Sequence, residues 1–138
     1  MNARTRRQLL GSLLGAGLVL AACGKPNEPA DPVWGKEPCA HCAMVVGDKR
    51  YAAQAVSDGD RFYFDDIGCL VLWEEARKAK PERRWVKDGQ GGSWLDAKSA
   101  RYVSGAKTPM DFGFEGRKDG GVGWDEMRDQ VIAMGKKR

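Results

Sequence analysis

The chain has 138 residues, 30% of them charged, with a formal net charge of +4. Such a length bounds the protein to one compact domain, part of which reads as a targeting segment. Residues 1–22 hold three of the 23 Lys+Arg and no acids, so the remainder carries 20 basic against 19 acidic side chains, and nothing in this balance argues for the clustered basic footprint of a nucleic-acid binder.

The first predicted element is a secretory leader. Arg4, Arg6 and Arg7 precede an uncharged apolar run over residues 9–20, followed by small residues. The run is too short to span a bilayer, which takes about 20 apolar residues. Leu20-Ala21-Ala22-Cys23 resembles the lipobox of bacterial lipoproteins, so residues 1–22 are expected to be removed and Cys23 to be acylated. Arg6-Arg7 suits either an ordinary or a twin-arginine export route. Gly24 after Cys23, rather than an aspartate, favours the outer membrane.

Residues 23–38 hold four of the six prolines with no apolar period, and they read as an extended, lipid-anchored tether. Val33 and Trp34 are the first residues expected to pack on the domain. Cys39-Ala40-His41-Cys42-Ala43-Met44 follows, with two thiols, the single imidazole and a thioether in six residues. With Cys69, three thiols remain after Cys23, and an odd number cannot all pair within one chain.

Tyr51-Ala52-Ala53-Gln54-Ala55-Val56 predicts a strand, Ser57-Asp58-Gly59-Asp60 a hairpin turn and Arg61-Phe62-Tyr63-Phe64 the returning strand. Asp65 or Asp66 stands at an N-cap. Ile67, Cys69, Leu70, Trp73 and Ala76 then recur at helical spacing to about Lys80, and Pro81 stops the helix. Cys69 falls in the first or second turn, where the helix dipole gives a thiol some thiolate character.

In the second half, Trp85-Val86-Lys87, a turn over residues 88–92 and Trp94-Leu95 precede a short strand at Ala100-Arg101-Tyr102-Val103. Gly120, Gly121 and Gly123 lead into a last helix with Trp124, Met127, Val131 and Met134 on one face. The order of short strands, turns and a helix entered through an aromatic residue and acids recurs in both halves. This predicts an α+β domain of two similar ββα-type units, about 39–80 and 81–138.

The chemistry of Cys39-x-x-Cys42 narrows by context. Haem attachment needs a histidine where Ala43 stands. A thiol-disulfide oxidoreductase needs the pair at the start of a helix in a βαβ setting, which a proline-rich segment and a hairpin do not provide. A structural zinc site wants four Cys or His donors, nominally Cys39, His41, Cys42 and Cys69, but zinc has no use for Met44. Thiolate, imidazole and thioether together suit Cu(I) in low coordination. Met110, in Thr108-Pro109-Met110, is a candidate distal thioether. Cys69 reads as a buried helix thiol, and Asp65 and Asp66 as a helix cap and an outer acceptor, since carboxylates suit harder ions. No Ser-His-Asp arrangement, Walker loop or dinucleotide fingerprint occurs, so an enzyme is not expected.

Cys39-x-x-Cys42-x-Met44, Tyr51-Ala52-Ala53-Gln54, Phe64-Asp65-Asp66-Ile67-Gly68-Cys69-Leu70, Trp94-Leu95-Asp96-Ala97-Lys98, Tyr102-Val103 and Thr108-Pro109-Met110 together resemble the NosL family, lipoprotein copper chaperones of nitrous oxide reductase. The resemblance runs from about Asp31 to Met134. It implies a Cu(I)-binding domain over residues 39–138 with a fold akin to part of the organomercurial lyases. It also implies a bilayer anchor at Cys23, a position on the periplasmic side, and delivery of copper to nitrous oxide reductase and its membrane-bound maturation machinery. Cys42 and Met44 carry over as ligands, then Cys39 and Met110; His41 departs from the family pattern.

Overall fold

The computed structural model describes residues 25–138; the leader and Cys23 lie outside the described residues. Eight elements follow in order: β1 (Ala53–Ser57), β2 (Asp60–Phe64), α1 (Ile67–Arg77), β3 (Arg83–Lys87), β4 (Trp94–Asp96), β5 (Arg101–Ser104), β6 (Phe114–Arg117) and α2 (Trp124–Gly135). All strand pairs are antiparallel, in a four-stranded sheet of order β2-β1-β3-β4 and a two-stranded sheet of β5 and β6. The chain is α+β, as its pattern predicts.

The first hairpin forms where Asp58 and Gly59 both take positive φ, 52° and 83°. That pair of left-handed residues matches the twist of two joined strands. Ala53 then lies opposite Phe64 and Ser57 opposite Asp60. β1 is buried throughout: β2 and β3 flank its edges, α1 packs against it, and the segment at Ala30 covers Gln54. Although β3 and β4 come from the second half of the sequence, they complete the sheet begun by the first.

Helix α1 starts at Asp66, whose side chain accepts from the Gly68 amide at 3.0 Å. It buries Ile67, Cys69, Leu70, Val71, Trp73 and Glu74 and ends at Arg77, one turn short of the expected Lys80. Lys78 turns into the left-handed region at φ 51°, and its amide closes on the Glu74 carbonyl. Proline at 81 also disfavours helical geometry in the residue before it. Glu74 meets Arg84 of β3 at 2.5 and 3.1 Å, and that guanidinium lies over the Trp124 ring of α2 at 5.7 Å. One nearly buried ion pair therefore ties α1, β3 and α2 together.

Strand β6 goes unread in the sequence because Phe114-Glu115-Gly116-Arg117 is short and carries a glycine. The structure gives that glycine a reason: a Cβ on Gly116 would lie 2.7 Å from the Lys87 carbonyl. The two sheets meet at this close approach, and the Gly89 amide donates to the Gly116 carbonyl at 2.9 Å. Tyr102 fills the space beneath, fully buried, with its hydroxyl donating to the Ala97 carbonyl at 2.5 Å.

Residues 25–38, expected as a tether, lie against the first sheet in the structure. Gln54 pairs with both backbone groups of Ala30 at 3.2 and 3.0 Å, and Arg61 donates to the Lys25 and Glu28 carbonyls. Asp31 accepts from Trp94 Nε1 at 2.8 Å and from Lys87 Nζ at 3.2 Å. Lys87 itself is buried, its ammonium 4.5 Å from the Trp94 ring centre and 5.5 Å from that of Trp34. Burial raises the Asp31 carboxyl, but the hydrogen bonds from Trp94 and Lys87 outweigh it and leave the group below its ordinary range. Among the described residues, no helix is long and apolar enough to cross a membrane.

Candidate metal centre

The cysteine loop is shaped by its own backbone. The Cys39 amide donates to the Met44 carbonyl at 2.7 Å and the Ala43 amide to the Cys39 carbonyl at 3.0 Å, which closes residues 39–44 into a tight turn. Closure places Ala43 at φ 65°, a conformation that costs a residue with a Cβ about 1 kcal/mol. A short antiparallel stem holds the turn from below, with Pro38 opposite Val45 and the Val46 amide on the Glu37 carbonyl. From the side, the Ala40 amide reaches the Tyr63 carbonyl of β2 at 2.8 Å.

That turn sets the electrostatics of its sulfurs: the Cys69 side chain and the backbone of Cys42, Asp65 and His41 favour the Cys39 thiolate, and the backbone of Met44 does the same for Cys42. The hydrogen bond from Cys69, reinforced by those backbone groups, outweighs burial and holds Cys39 down at about 6. Burial drives Cys42 the other way, up to about 11. Cys69 is pushed well above the ordinary thiol range, since its proton is held by Cys39 and it is fully buried. The thiolate character expected at Cys69 from the helix dipole therefore resides on Cys39. A hydrogen bond donated to a neighbouring sulfur outweighs the dipole's attraction for negative charge.

Cys39, Cys42 and Cys69 are all free thiols. Their sulfurs and one oxygen of Asp65 lie within 4.8 Å of one another. The Asp65 carboxylate is 2% exposed, and among the described residues the only hydrogen bonds it accepts are from Cys42, at 3.5 and 3.6 Å. A buried carboxylate facing three sulfurs with so weak a donor is poorly compensated. A cation among these four groups would supply the missing partner. The four donors can therefore hold a metal ion, with sulfur setting a preference for soft or borderline ions.

The other expected residues occupy different places. Asp66 is fully buried and is the N-cap of α1; burial raises its carboxyl against the pull of Thr108, Gly68 and Met110. His41 is exposed and outside the four-donor group, and partial desolvation by its neighbours lowers its basicity. Met44 stands 55% exposed at the lip beside Cys42. Met110 lines an open, mainly apolar groove of about 470 Å³ together with His41, Cys42, Leu72, Phe112 and Arg138. Sequence reasoning placed Asp65 outside the ligand set. The usable signal was the tandem Asp65-Asp66: one acid suffices to cap a helix, which leaves the other for a second task.

No protein-family model matches the chain, and a search of curated proteins returns no match.

Proposed function

We propose that this protein is a Cu(I)-binding metallochaperone, anchored through Cys23 on the periplasmic side of a bacterial outer membrane, that passes copper toward nitrous oxide reductase and its maturation machinery. The convergence of three free thiols beside an exposed methionine carries the reading. Thiolate and thioether are the donors that Cu(I) prefers.

The arrangement suits transfer rather than storage. Cys39 and Cys69 hold the inner side of the site from buried positions, while Cys42 is half-buried and Met44 faces solvent. An incoming ligand from an acceptor meets Cys42 and Met44 first, so these donors are exchanged before the inner thiols let go. Delivery by ligand exchange breaks no covalent bond in a substrate, and the protein acts as a carrier rather than an enzyme. The NosL resemblance, with Cys42-x-Met44 and Thr108-Pro109-Met110, supplies the acceptor.

The donor set also favours a second reading. Three sulfurs and a carboxylate oxygen make a four-donor group of the kind that closes a structural zinc site. Anaerobic competition titrations of the purified protein with Cu(I) and Zn(II) separate the two. The copper reading expects tight Cu(I) binding that weakens about tenfold in Met44→Leu, with Zn(II) affinity unchanged. Zn(II) binding that outcompetes Cu(I) and is indifferent to Met44 would establish the structural site instead. Turnover of a disulfide substrate by Cys39 and Cys42, with Cu(I) affinity untouched by Met44→Leu, would make the protein an oxidoreductase.

A further inference from the structure

The Met110 peptide is held from both sides. Its amide donates to Asp66 Oδ2 at 3.1 Å, and its carbonyl accepts from Arg138 Nη1 at 2.7 Å. The same Asp66 carboxylate caps α1 through Gly68 at 3.0 Å, and the nearby Thr108 side chain favours its charged form. Thr108 in turn accepts the Gly113 amide at 3.0 Å, and Arg138 reaches the Asp111 carbonyl at 3.2 Å. Phe112 lies against Gly68, where a Cβ would come within 2.1 Å of its ring, while Arg138 covers the ring at 4.5 Å.

These bonds fix the loop to a particular place. The amides of Cys69 and Leu70 bond to the Asp66 carbonyl, so one buried residue references both the helix start that carries Cys69 and the backbone that carries Met110. The Met110 side chain is left half-buried in the groove that Cys42 and His41 also line. A backbone held at both its donor and its acceptor, with a thioether facing a groove beside a thiol, is a preorganised soft ligand.

We propose that Asp66 is a positioning residue that holds Met110 across the groove from Cys42, so that the Met110 thioether completes the site from the far wall. This rests on the copper reading above. Neutral sulfur approaching through apolar walls favours a monovalent soft ion over a divalent one, which needs charge from its ligands. Asp66 would thus act on metal choice without touching the metal.

The test is a double-mutant cycle on Cu(I) affinity, with thermal unfolding measured on the same variants. Asp66→Asn keeps an oxygen to cap α1 and turns an amide toward the Met110 N–H, removing that one link. Arg138→Ala, at an exposed position, releases the other side of the peptide without removing a core side chain. Each is expected to lower Cu(I) affinity about tenfold in the wild-type background and to have no further effect in Met110→Leu. X-ray absorption should count one sulfur neighbour fewer in all three single variants. Equal losses of affinity in both backgrounds, or an unchanged sulfur count, would overturn the proposal by reducing Asp66 to a helix cap. Wild-type protein that fails to hold Cu(I) at all would overturn the copper reading itself, an outcome distinct from additive losses in a protein that binds.

Discussion

Two thiols three residues apart are driven in opposite directions by what surrounds them. Cys39 is held as a thiolate by the neighbouring Cys69 thiol and by nearby backbone groups, while Cys42 faces the Asp65 carboxylate and is desolvated by burial. Because Cys39 falls from the ordinary 9.0 to about 6 on folding, the folded protein binds fewer protons between those values. The stability this contributes is complete above pH 9 and is lost as pH falls through 6. Cys42 rises to about 11, so its contribution is complete below pH 9 and is lost as pH climbs toward 11. Stability of the metal-free protein should therefore rise from pH 6 and decline above pH 9, as read by urea unfolding. Ultraviolet titration should show one thiolate with a midpoint near pH 6 that disappears in Cys39→Ser. The residues of the loop were legible in the sequence because their types are chemically distinctive. Their roles were less so: the pull of Cys69 on Cys39, and the lack of a strong donor to Asp65, depend on contacts between residues 30 and 23 positions apart.

Helix α1 positions most of the site from its first turn. Asp66 caps it, Cys69 joins the sulfur group, and Gly68 between them lets Phe112 pack closely against the backbone. Gly68→Ala would drive a methyl group into the Phe112 ring, an overpacking that costs about 1–3 kcal/mol. A lower urea midpoint with an unchanged slope is the expected reading, since the surface exposed on unfolding stays the same. The helix was legible from its apolar spacing and from the acids before it, as was the first hairpin from Asp58-Gly59. What Gly68 does was not, because its neighbour is 44 residues away. Strand β6 escaped for a related reason: Gly116 is set by the approach of the Lys87 carbonyl, a tertiary requirement that overrides local strand propensity. The early end of α1 at Arg77 shows the same limit, since Pro81 marks where the helix cannot continue but not where it stops.

At the scale of the molecule, residues 39–42 and 65–69 are brought together only by the completed fold. The loop is tied to β2 through Ala40, β2 is paired to β1, and α1 follows directly from β2. Both hydrophobic pattern and turn chemistry pointed to this hairpin-helix unit, whereas its completion by β3 and β4 came from pairings that no local pattern announces. An unfolded chain offers the same thiols without the shared geometry, so an ion that binds the site binds the native state preferentially. At a free ion concentration about 100 times Kd, that preference adds about 2.7 kcal/mol to stability. Thermal unfolding with and without Cu(I) under reducing anaerobic conditions should show a higher Tm for the loaded protein, with the gain much reduced in Cys69→Ser. Loaded and empty copies would then differ in lifetime as well as in cargo. A protease that cuts opened chains meets empty copies far more often, since cleavage follows the population of the open form. If the donors take up an ion at this fold-dependent centre, molecules that never acquire it would be the first to be cleared.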